Sequence, residues 1–81
     1  MNRQTLKCKG GNRRSPRQEP VRAWDSLQHG NCIEVWSSNS FLYLAYVDVR
    51  SDDGQLIWVI ENGTGDRRLF VRGDPVTLYP V

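Results

Sequence analysis

Long apolar runs are missing from this 81-residue chain. No stretch approaches the roughly 20 residues that a membrane-spanning helix needs, and none resembles the apolar stretch of a secretory signal. Arg13-Arg14 is followed by Ser15-Pro16 rather than by an apolar segment, so it does not read as a twin-arginine export signal. Cysteine is scarce. Cys8 and Cys32 are too few for a disulfide framework. Cys8 lies in a polar leader and Cys32 in the first apolar run, so two free thiols in a reducing compartment are expected. A cytoplasmic location follows as the expectation, with no membrane partner.

The side chains of catalysis are thin as well. His29 is the single histidine and sits in the loop Gln28-His29-Gly30-Asn31. Cys32 is three residues away, but nearness in sequence does not make a nucleophile–base pair. Cys8, His29 and Cys32 lack finger-like spacing and a fourth ligand, so no metal is expected. Asp52-Asp53 reads as a turn, and no glycine-rich loop opens a helix. Neither a cofactor nor an enzymatic activity is expected.

What is present divides at about residue 22. Residues 1–22 hold seven cations (Arg3, Lys7, Lys9, Arg13, Arg14, Arg17, Arg22) and one acid, Glu19. Residues 23–81 hold four arginines and eight acids, and all eight aromatic residues. A leader with only Met1, Leu6 and Val21 as aliphatics cannot bury enough apolar surface to offset its ordering entropy. The chain therefore reads as a flexible, disordered basic arm, 1–22, joined to a β-patterned body, 23–81.

Within the body, Cys32 to Trp36 alternates with period two, which marks a strand. Ser37-Ser38-Asn39-Ser40 is a polar turn. Phe41 to Arg50 is rich in β-branched and aromatic residues. Asp53-Gly54 suggests a type I′ hairpin, in which both central residues have positive φ. Gln55 to Glu61, Arg67 to Arg72 and Val76 to Tyr79 complete five strands, and Ala23 to Leu27 forms a short turn whose Trp24 and Leu27 cap the core. Five short strands must hide their edges, so closure into a small barrel is expected. Strand order and lengths over Gly30 to Tyr79 resemble the SH3-like small barrels: Tudor, KOW and the C-terminal domain of retroviral integrases. The resemblance implies an all-β, five-stranded SH3-like barrel.

Two binding readings follow. In the first, the arm neutralises phosphates of DNA or RNA by counterion release, Arg68 and Arg72 extend the track, and Trp36 or Tyr43 stacks a base. In Tudor-like barrels, aromatics near this turn cage a methylated cation; Trp36, Phe41 and Tyr43, with Glu34 as the carboxylate, are the corresponding set here. The bland alternatives are a solubilising leader, packing around a tight turn, and pairing of Arg67 and Arg68 with Asp48 or Glu61. In the second reading, the second strand is apolar at both parities. Phe41, Tyr43, Ala45, Val47 and Val49 would face one way, and Leu42, Leu44 and Tyr46 the other, toward a protein partner or a second copy.

Overall fold

The alternating run after Asn31 forms the first strand, β1 (Cys32–Ser37). The chain then runs back and forth through β2 (Ser40–Arg50), β3 (Leu56–Glu61), β4 (Arg67–Val71) and β5 (Thr77–Pro80). In this computed structural model, which describes Cys8 and residues 19–81, every neighbouring pair is antiparallel and the order is β4-β3-β2-β1-β5. Among the described residues the helical content is one 3-10 turn, Trp24–Ser26. The protein is all-β, as its periodicity implies. The sheet is open, with β4 and β5 as its edges.

Local chemistry sets the turns. Ser38 and Asn39 both take positive φ, 51° and 67°, between the paired residues Ser37 and Ser40. That is the two-residue hairpin whose twist matches the strands. The second hairpin departs from the expected type I′ turn. At Asp53-Gly54 only Gly54 has positive φ, 71°. Gly54 N–H donates to Ser51 C=O, and the Ser51 hydroxyl accepts from the N–H groups of Gln55 and Leu56. A Cβ on Gly54 would stand 2.8 Å from the backbone nitrogen of Asp25. The glycine therefore lets this turn lie against the 3-10 turn.

One face of the sheet makes the core. Ile33 and Val35, Ala45 and Val47, Ile57 and Val59, and Leu78 are all essentially inaccessible. Trp24 and Leu27 close over them, and Val21, Tyr43, Phe70 and Val76 pack at the margin. Fully burying each large aliphatic side chain contributes about 1.5–3 kcal/mol.

Two β-bulges break the simple parity. The register slips between Val35 and Trp36, which brings Trp36 opposite Phe41 while Val35 stays opposite Tyr43. It slips again between Val47 and Val49, so Val49 pairs with Trp58. An unpaired extra residue turns the following side chains to the other face. Val49 was expected alongside Ala45 and Val47; instead it is 51% exposed.

Candidate functional site

The aromatic corner at the first hairpin is only partly the expected one. Trp36 sits edge-on to Phe41 and to Tyr79, each with ring centroids 5.8 Å apart. Its indole N–H donates to Glu34 Oε1 at 2.9 Å, and Glu34 is buried. So Glu34 does accompany Trp36. Tyr43 does not, because the bulge at Leu42 parts it from Phe41 and leaves it on the core side. The Arg68 guanidinium stands over the Tyr43 ring, 5.3 Å from its centroid. Burial holds the Tyr43 hydroxyl above its usual range, with Arg68 opposing the shift.

The arginines of β4 are engaged within the body. Arg67 donates to Asp48 Oδ2 at 2.9 Å and lies 4.1 Å from the Trp58 ring centroid. Arg68 grips Glu61 Oε1 at 2.8 and 3.1 Å and reaches Asp66 at 3.6 Å. The bond to Glu61 is the main reason its guanidinium pKa lies above the ordinary value. These are the cross-strand pairs that charge patterning allows. Arg72 lies over Trp24 at 5.0 Å, and Arg22 is exposed, 3.8 Å from Glu19. The other six arm cations, Arg3, Lys7, Lys9, Arg13, Arg14 and Arg17, lie outside the described residues.

Cys8 and Cys32 correct the free-thiol expectation: they form a disulfide. Sequence separation hid the pairing, since 24 positions part them, yet the fold brings their Cα atoms to 5.8 Å. That separation is comfortable for a bridge. Cys8 is buried, and Asn62 clamps its backbone reciprocally: Asn62 Oδ1 accepts from Cys8 N–H, and Asn62 Nδ2 donates to Cys8 C=O, both at 3.2 Å. The bridge lands at the start of β1, where Cys32 pairs with Tyr46. Of the residues expected at an interface, Leu44 and Tyr46 are half-buried and Leu42 is 47% exposed.

An apolar surface that the first reading missed lies on β3 and β4. Leu56, Leu69, Val71 and Val49 are 36%, 42%, 44% and 51% exposed. The register joins them: Val49 is opposite Trp58, Trp58 opposite Leu69, and Leu56 opposite Val71. The signal was available, because Leu56 to Ile60 is as apolar at both parities as the second strand. A separate open cleft of about 360 Å³ is lined by Leu27, Gln28, His29, Val47, Asp48, Arg50 and Asp52. His29 Nδ1 lies 2.8 Å from Asp48 C=O, and Arg50 donates to the carbonyls of Leu27 and Ser51.

No family model, curated protein or solved structure matches this chain. Among the described residues, no helix is long and apolar enough to cross a membrane, and no cluster of His, Cys, Asp or Glu could hold a metal ion.

Proposed function

We propose that this chain is a non-enzymatic protein-interaction or assembly module that works through the outer face of β3 and β4. The observation that carries this reading is the contiguous exposure of Val49, Leu56, Leu69 and Val71 around half-buried Trp58. Single exposed apolar residues are ordinary, but an in-register patch of this kind marks a contact surface. The strand order supports reading the body as an SH3-like small barrel left open between β4 and β5. The cytoplasmic placement loses its thiol support, because a disulfide persists best where thiols are not kept reduced.

The test is the double variant Leu56→Glu/Val71→Glu, assayed with the apolar dye ANS. Native wild-type protein should bind the dye. The double variant should lose that binding while its unfolding free energy changes by no more than about 1 kcal/mol, the range of exposed substitutions. A loss of several kcal/mol would make the face part of the core and overturn the reading.

The nucleic-acid reading stands second, on the charge split alone: seven cations and one acid in residues 1–22. Anisotropy on generic DNA and RNA should show binding that weakens steeply with salt. Binding that is absent at low salt, or unchanged when Arg13, Arg14 and Arg17 are all made Gln, ends it.

A further inference from the structure

We propose that the β4 edge of this module pairs with a second copy of this chain, docked antiparallel about a twofold axis at Leu69, which extends the β3–β4 face across the dimer. The inference rests on the interaction reading and adds its partner and register. Backbone parity is the starting point. Arg72 N–H donates to Gln55 C=O, and Glu61 N–H donates to Asp66 C=O. Even-numbered residues of β4 therefore direct their backbone groups at β3. Arg67, Leu69 and Val71 direct theirs away from the sheet. Val71 shows this directly, because its N–H donates to Asp74 Oδ2 at 2.9 Å rather than to a strand.

An unpaired edge of this kind is a template for another strand. Antiparallel hydrogen-bonded pairs recur at every second residue. Centring the axis on Leu69 sets Leu69 against Leu69 and Arg67 against Val71, so every outward group of β4 meets an outward group. Centring on Arg68 or Phe70 would likewise set outward residues against outward residues, so backbone parity leaves these centres open. Charge decides among them: centring on Arg68 sets Arg68 against itself, and centring on Phe70 sets Arg68 against Arg72 and Asp66 against Asp74. With Leu69 on the axis, Asp66 falls opposite Arg72, and twofold symmetry repeats that pair. Asp66 has an exposed side chain and Arg72 is likewise exposed. The exposed Leu69 side chains lie side by side on the axis, flanked by Val71 and the aliphatic stem of Arg67.

Asp74 moderates this edge. Its carboxylate accepts from the Val71 N–H and its own N–H donates to the Val71 C=O, both at 2.9 Å, so the pair with the partner's Arg67 forms only as this turn gives way, while Leu69 is open to pair at once. It acts as the charged gatekeeper common on sheet edges.

Sedimentation velocity on the full chain, from micromolar to millimolar concentration, provides the test. A monomer–dimer equilibrium is expected. Asp66→Arg alone and Arg72→Asp alone should each weaken it by about tenfold, because each removes two opposite-charge pairs. The two changes together should restore it. Hydrogen exchange gives a readout independent of these variants: the Leu69 amide should slow as concentration rises, while the Arg68 and Phe70 amides, already bonded to β3, should not change. A chain monomeric at millimolar concentration, a double variant that stays weak, or a Leu69 amide insensitive to concentration overturns the proposal. If those failures occur while Leu56→Glu/Val71→Glu still abolishes dye binding at unchanged stability, the second copy is ruled out and the interaction face survives.

Discussion

The two edges of this sheet are finished in opposite ways. At β5, Val21 N–H donates to Leu78 C=O at 2.7 Å, so the segment leading into Trp24 lies along the strand. Next to it, β1 carries the Cys8–Cys32 bridge and the buried Glu34. At β4, the side chains of Arg67, Arg68, Leu69 and Val71 are all exposed, and the outward backbone is engaged at Val71, by the Asp74 carboxylate and the Asp74 N–H. Residues from the first third of the chain close one side. Nothing described closes the other. The contrast shows where the chain uses its own sequence to finish the fold and where it leaves a surface for something else.

The largest test of the contrast compares one residue from the core with one from the open edge. Ile57 is fully buried under Trp24 and its neighbours. Ile57→Ala should lower the unfolding free energy by about 2–5 kcal/mol, from lost transfer free energy plus a cavity. Leu69→Ala, one strand away and exposed, should change it by no more than about 0.5 kcal/mol at concentrations where the chain is monomeric. Urea unfolding of both variants measures the difference. Similar losses in the two would mean that the open edge is in fact packed, and the contrast would fail.

Next in size is the bridge. Replacing Cys8 and Cys32 together with serine removes a cross-link across 24 positions. Chain-entropy arguments put the cost at about 3 kcal/mol. Wild-type protein whose bridge has been fully reduced should lose a similar amount. Equal stability of the double serine variant and the oxidised wild type would mean that the closed side owes nothing to the bridge.

These expectations also show how far the sequence could be read. All five strands were legible, within one or two residues at their ends, because period-two alternation and turn residues are local signals. Trp24 and Leu27 as a core cap were legible for the same reason. The bulges at Leu42 and Asp48 were not. A bulge is set by how two strands pair, and it moved Val49 outward and parted Tyr43 from Trp36. The bridge was hidden because spacing says nothing about a contact made by tertiary folding. The pairing of Arg67 with Asp48 and of Arg68 with Glu61 was foreseen as the plain alternative to a phosphate track. The apolar face of β3 was readable, because Leu56 to Ile60 is apolar at both parities.

The smallest effect comes from the turn between β2 and β3, where Gly54 rests on Asp25 beside the closed-in Trp24 segment. The Ser51 hydroxyl donates to Asp53 Oδ1 at 2.8 Å, and the Gln55 N–H donates to the same oxygen at 3.1 Å. Both bonds favour the ionised form, the hydroxyl foremost, and hold the Asp53 carboxyl below its ordinary value. A depressed folded-state value contributes stability above the unfolded-state value, and that contribution is lost as pH falls through the folded one. The loss should therefore begin only below about pH 4. Carbon-13 titration of the Asp53 carboxyl should give a midpoint below that of a model aspartate, and the Gln55 amide shift should move with it. Because the group is fully exposed, the effect on the thermal midpoint should be slight, and Asp53→Asn should remove the acid dependence that this turn contributes. An ordinary Asp53 midpoint would show that the turn's hydrogen bonds form only intermittently, and the turn would then hold the Trp24 side less firmly than its geometry implies.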